Sequence, residues 1–184
     1  GAPSDPVLQY RTDIDGGAGT WITQFRSNED IEYLRYDVTN MVHYVRPDGN
    51  VCIIGSGGGR DVQSALLFGH PEVTGVDVNP LFINLLKDKF RDFAGVADKE
   101  GVTLVADEAR SYLSRTGEKF SVIQMSLVDT WAATAAGAFT LSENGLYTTE
   151  AWSIFFNWLK EDGIFTASRH YVPGTLDETG RAVS

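Results

Sequence analysis

The chain has 184 residues, 42% of them hydrophobic, enough to bury the core of one domain and too few for a second of similar size. Its net charge of -10 lacks the basic footprint that displaces counterions, which argues against a nucleic acid or an anionic membrane as partner. A cationic or neutral small molecule fits that charge, and so does plain solubility.

Residues 1–27 read as a hairpin segment. Asp15-Gly16-Gly17 sits between β-prone stretches, and Trp21, Ile22 and Phe25 follow. The start, Gly1-Ala2-Pro3-Ser4, carries no signal-peptide pattern, and no apolar run reaches the length of a membrane span. The expected location is cytoplasmic, with no membrane contact, either as a free protein or as the soluble domain of a larger one. From Asn28 to Val45 the apolar positions Ile31, Leu34, Val38, Met41, Val42 and Val45 predict one helix, ended by Arg46-Pro47-Asp48-Gly49.

The chain is organised around Val51-Cys52-Ile53-Ile54-Gly55-Ser56-Gly57-Gly58-Gly59-Arg60-Asp61, a buried strand that empties into a glycine turn and then a helix. Glycines permit positive φ and close approach of a ligand, and a helix start offers unpaired N–H groups to it. Cys52, the one cysteine, reads as core. A second strand, Val73 to Asp77, ends on a carboxylate, and Asn79-Pro80 opens a helix whose stripe is Phe82, Leu85, Leu86, Phe90 and Phe93. A third strand, Val102 to Ala106, also ends at a carboxylate, Asp107, before a short helix from Ala109 to Ser114. The fourth strand, Phe120 to Ser126, leads into a long polar loop to Tyr147. A helix capped by Thr148 or Thr149 follows and ends at Asp162-Gly163, before a fifth strand from Ile164 to Ser168. His43 and His70 read as surface or interface residues, and the histidines show no metal-ligand spacing.

Alternating strands and helices predict an α/β fold: a doubly wound, mainly parallel Rossmann-like sheet with helices on both faces, over residues 28–172, preceded by the N-terminal β-hairpin. Residues 173–184 form a polar tail. Fifteen residues after Arg169 are too few for a further antiparallel hairpin, so the expectation is a domain of a longer protein whose sheet edge a second copy could cover as a homodimer.

Gly55, Gly57 and Gly59, with Asp77 and Asp107, converge on the carboxyl edge of that sheet. A carboxylate ending strand two can accept ribose hydroxyls, and one ending strand three can accept the amine of an adenine. For Asp107 an acid favoured by the helix start is nearly as good an account. The spacing is G-x-G-x-G; G-x-G-x-x-G would need glycine where Arg60 stands, so NAD is the weaker reading.

With these features the stretch from Asp48 to Arg169 resembles the class I S-adenosylmethionine-dependent methyltransferase fold. Within it the chain is similar to the spermidine synthase family of polyamine aminopropyltransferases. Asp15-Gly16, Glu29-Asp30-Ile31-Glu32-Tyr33, Gly145-Leu146-Tyr147-Thr148-Thr149-Glu150-Ala151-Trp152 and Leu159-Lys160-Glu161-Asp162-Gly163 carry the likeness. It implies S-adenosylmethionine or its decarboxylated form as cofactor, a small amine as acceptor, and Tyr33 and Tyr147 lining the substrate pocket. The family's loop carries an aspartate where Gly58 stands, and its Asp-Ser-x-Asp-Pro motif places its first aspartate, which assists deprotonation, at Ser126 and its second at Asp129. Ser126 and Asp129 are therefore the catalytic candidates, with the loop 127–144 as a lid. Two classes of function stay open: transfer of a methyl or aminopropyl group, and a non-catalytic adenosine-ligand module of a larger protein.

Overall fold

The computed structural model describes residues 8–14, 18–126 and 145–169. An antiparallel hairpin, β1 (Gln9–Ile14) and β2 (Ala18–Thr23), precedes five strands: β3 (Asn50–Ile54), β4 (Glu72–Asp77), β5 (Val102–Ala106), β6 (Phe120–Ser126) and β7 (Leu159–Ser168). The five form one parallel sheet in the order β5-β4-β3-β6-β7. The chain winds outward from β3 to β5, then returns to the other side of β3 as β6, which places the topological switch point between β3 and β6.

Strand alternation divides the core in two. Val51, Ile53 and Val122 face one side, against Val62, Ala65 and Leu67 of α3 (Arg60–Leu67) and Ile83 and Leu86 of α4 (Pro80–Lys87). Cys52, Ile54, Ile123 and Met125 face the other, against Leu113 of α6 (Ala109–Thr116) and Ala151 and Phe155 of α7 (Thr149–Asn157). Each fully buried aliphatic or aromatic side chain contributes about 1.5–3 kcal/mol, so the doubly wound arrangement follows from covering both faces of β3 and β6. Burial pushes the Cys52 thiol well up, consistent with a core role.

Three expectations are corrected. The single helix over Asn28–Val45 is broken into α1 (Asn28–Ile31), two 3-10 turns (Glu32–Tyr36 and Val38–Asn40) and α2 (Met41–Val45). Asp37 breaks it with extended backbone (ψ 129°): its Oδ1 accepts from the Thr39 amide at 2.9 Å and the Thr39 hydroxyl at 2.7 Å, and its Oδ2 pairs with Arg60. The helix opened by Asn79-Pro80 stops at Lys87 and restarts as α5 (Arg91–Ala94), because Asp88 leaves helical geometry (φ −120°, ψ −85°). Finally, Asp162-Gly163 lies inside β7, where the pairing slips from Phe120↔Leu159 to Val122↔Ile164. A Cβ on Gly163 would stand 2.9 Å from the Phe120 carbonyl oxygen, so glycine suits this bulge.

The histidines are the fourth departure. His43 and His70 are 0% and 3% exposed, with His43 Nδ1 3.0 Å from His70 Nε2 and His70 Nδ1 3.0 Å from the Gly49 carbonyl. Residues 27 apart in sequence meet because α3 returns the chain to the amino end of the sheet.

The hairpin is pinned to α5. Tyr10 meets Phe90 and Phe93 with ring centroids 5.4 and 4.9 Å apart, and the Phe25 amide donates to the Phe93 carbonyl at 2.9 Å. Among the described residues no helix is long and apolar enough to cross a membrane.

Candidate functional site

The glycine turn leaves β3 at the carboxyl end of the sheet. Gly55, Gly57 and Gly59 hold φ of 77°, 46° and 87°, a region that side chains other than glycine rarely adopt. The turn is tied to β4 by the Gly55 amide, which donates to the Val76 carbonyl at 2.8 Å.

Asp77, the last residue of β4, is 7% exposed. Its Oδ2 accepts from the Gly57 amide at 2.8 Å and its Oδ1 from the Asn79 amide at 2.9 Å. Burial pushes this carboxyl up, and the two amides pull it back toward the ionised form. Each oxygen still has a lone pair to spare, the capacity needed to accept a pair of vicinal hydroxyls. Asp107 follows β5, and its amide donates to the Asp77 carbonyl at 2.9 Å, so one main-chain bond sets the two acidic strand ends side by side. The Asp107 carboxylate accepts from the Glu108 amide at 2.8 Å and pairs with Arg115. The N-cap of α6 is Glu108, not Asp107: its carboxylate accepts from the Arg110 and Ser111 amides. The structure thus brings Gly55, Gly57, Gly59, Asp77 and Asp107 to one edge.

The hairpin lies against the same turn. The Gly58 amide donates to Thr20 Oγ1 at 3.1 Å, and a Cβ on Gly58 would stand 2.2 Å from the Trp21 carbonyl oxygen. Glycine at position 58 is therefore enforced by backbone packing.

The two tyrosines expected to line a substrate pocket pack against opposite faces of the sheet. Tyr33 packs against the α3 side of the core, its hydroxyl 3.5 Å from Thr23 Oγ1. Tyr147 closes a 3-10 turn on the α7 side, with the Arg169 guanidinium 4.3 Å over its ring. Ser126 ends β6 at the switch point. Asp129 and the expected lid, 127–144, lie outside the described residues.

Sequence reasoning missed Asp61. It opens α3 beside the turn, is 6% exposed and pairs with Arg60 Nη1 at 3.0 Å. Arg60 also reaches Asp37, so one guanidinium bridges the two carboxyl groups. The available signal was its place four residues before Ala65, on a helix face that packs inward. Among the described residues no group of histidines, cysteines or carboxylates could hold a metal ion.

A parallel sheet with this order, a glycine turn and acidic strand ends defines a Rossmann-like fold of the methyltransferase type. A methyltransferase from Agrobacterium tumefaciens, described as S-adenosylmethionine-dependent, superposes with a TM-score of 0.55 at 13% identity, over 98% of this chain and 59% of that one. A spermidine synthase in complex with the transition-state analogue AdoDATO superposes at 0.57 (18% identity, 98% of this chain, 58% of that one), and the Thermotoga maritima spermidine synthase also at 0.57 (20% identity, 90% and 55%). The polyamine aminopropyltransferase of Thermoplasma volcanium is 22% identical over 68% of this chain and 50% of its own length. The model of the spermine/spermidine synthase domain matches residues 34–174, and the chain belongs to that family. It spans 50–58% of the length of these relatives.

Proposed function

We propose that this chain is the donor-binding part of a group transferase that passes to a small amine either the methyl group of S-adenosylmethionine or, in keeping with its family, the aminopropyl group of decarboxylated S-adenosylmethionine. The observation that carries the reading is the Asp77 carboxylate, fixed by the Gly57 amide at the carboxyl end of β4 with acceptor lone pairs remaining. In this reading the glycines let the nucleoside approach the backbone, Asp77 accepts the ribose hydroxyls and Asp107 the adenine amine. A sulfonium donor supplies an already activated carbon, so the protein mainly has to align an amine with it and exclude water. Ser126 faces the acceptor, Tyr33 and Tyr147 border its pocket, and Asp129 serves as a further carboxylate there.

The test is mass spectrometry of the protein incubated with each donor and a panel of diamines. An aminopropylated product from the decarboxylated donor selects aminopropyl transfer, and a methylated product from S-adenosylmethionine selects methyl transfer.

One observation favours a second reading, a non-catalytic adenosine-ligand module. The Trp21 carbonyl fills the space that a side chain at position 58 would need, so no carboxylate can stand on the loop at that point. Ligand binding with no product from either donor would select this reading.

A further inference from the structure

The glycine turn carries five amides, and each of them is already engaged. Gly55 and Ser56 donate to the Val76 carbonyl at 2.8 and 3.2 Å, Gly57 to Asp77 Oδ2 at 2.8 Å, Gly58 to Thr20 Oγ1 at 3.1 Å and Gly59 to the Ser56 carbonyl at 2.8 Å. A glycine turn holds a phosphate through several such N–H groups aimed at it, together with the helix start behind them. Here the helix start is occupied too. Asp61 stands in the first turn of α3, where its carboxyl group takes the place that suits an anion, and both Asp61 and Val62 are buried. Arg60, the cation next to the turn in sequence, pairs with Asp37 and Asp61. Four of the five bonds arise within the sheet and the turn, but the Gly58 bond comes from the hairpin. Thr20 is half-buried on β2, its carbonyl accepts from the Thr12 hydroxyl at 3.1 Å, and its Oγ1 lies 3.2 Å from where a Cβ on Gly57 would stand.

We propose that Thr20 is a specificity-determining residue of the nucleoside site: by engaging the Gly58 amide it closes the turn to anions, so that the site admits an adenosine with a neutral or cationic 5′ substituent and excludes a 5′-phosphate. This rests on the adenosine site proposed above. A thioether or a sulfonium on the 5′ carbon requires no N–H donor, and the acidic strand ends Asp77 and Asp107 favour a cation beside them over an anion. A phosphate requires several donors. At this turn it meets only the hydroxyl hydrogen of Thr20, a single neutral donor, and the carboxyl groups oppose its charge. The hairpin thereby acts on ligand choice through one side chain.

The experiment measures the affinities of 5′-methylthioadenosine and adenosine 5′-monophosphate by calorimetry for the parent, Thr20→Ala and Thr20→Ser. The parent is expected to bind methylthioadenosine about 100-fold more tightly than the phosphate. Thr20→Ala frees the Gly58 amide and the space beside it, and should narrow that ratio about tenfold, the scale of one hydrogen bond to a charged group. Thr20→Ser keeps the acceptor and should restore the parental ratio. A merely structural role of Thr20 would lower both affinities together and leave the ratio unchanged. An unchanged ratio in Thr20→Ala, or equal affinities in the parent, would overturn the proposal. Should Thr20→Ala not fold, amide hydrogen exchange in the parent decides: slow exchange at Gly57 and Gly58 supports the closed turn, and exchange at the rate of an exposed loop overturns it. A parent that binds both ligands alike leaves the adenosine site standing and removes only the role of Thr20, whereas a parent that binds neither contradicts both.

Discussion

At the amino end of the sheet the buried polar side chains bond to one another and to the backbone, with His43 Nε2 left unpartnered among uncharged neighbours, whereas at the carboxyl end the groups with acceptor capacity in reserve are carboxylates. His43, His70 and the Gly49 carbonyl form a chain at the first end, and Asn50 accepts from the Ser121 amide at 3.1 Å while donating to the Lys119 carbonyl at 3.0 Å. These contacts lock helices and loops onto β3 and β6. At the second end Asp77 is held by two amides and Asp61 by one guanidinium, an arrangement that costs desolvation energy and leaves carboxylate lone pairs to spare. Both ends are polar and buried. Carboxylate acceptors beside a glycine turn, more than polarity, distinguish the end suited to a ligand.

Acid should separate the two ends most strongly. Burial, with the charge of His70 next, holds the His43 pKa down to about 4 from 6.5. The unfolded chain therefore takes up a proton first, and the stability present above about pH 6.5 is lost as pH falls toward 4, on the order of 3 kcal/mol in all. Asp61 and Asp77 have the opposite sign: their raised carboxyls take up protons more readily in the fold, so acidification relieves strain at that end. Urea midpoints at neutral and acidic pH measure the sum. His43→Gln, which cannot charge, should remove the destabilising limb; if that limb persists unchanged, the amino-end pair is not its source.

A smaller effect should follow from Gly58→Ala. Its Cβ would meet the Trp21 carbonyl, so the hairpin must shift, at a cost of about 2 kcal/mol read by thermal denaturation. An unchanged melting temperature would show that β2 does not press on the turn. The smallest effect belongs to neither end. Arg91 and Asp98 form an exposed pair, and Arg91→Ala should leave both the denaturation midpoint and ligand affinity unchanged.

Sequence pattern carried the strands well, because Val102–Ala106 and Phe120–Ser126 are apolar runs whose limits are set by local chemistry, the acidic and polar residues that follow them. The acidic edge was legible for the same reason, since Asp77 and Asp107 each sit at a strand end. Features that depend on distant partners were not legible. Asp37 breaks the first helix through Arg60, 23 residues away, and the histidine pair forms across 27 residues. Asp61 was hidden because an acidic residue at a helix start is ordinary for the dipole, and nothing in the local pattern marks it as buried. The hairpin's contact with Gly58 was invisible too, because glycine leaves no pattern of what lies against it.

The most direct test of the account is calorimetry of methylthioadenosine, decarboxylated S-adenosylmethionine and NAD with the parent and with Asp77→Ala. If Asp77 accepts two ribose hydroxyls as proposed, its removal should weaken the nucleoside ligands by about 100-fold or more. The account predicts that the parent binds the two sulfur-containing nucleosides and not NAD, and that Asp77→Ala loses both. Equal affinity in parent and variant, or binding of NAD alone, would contradict it.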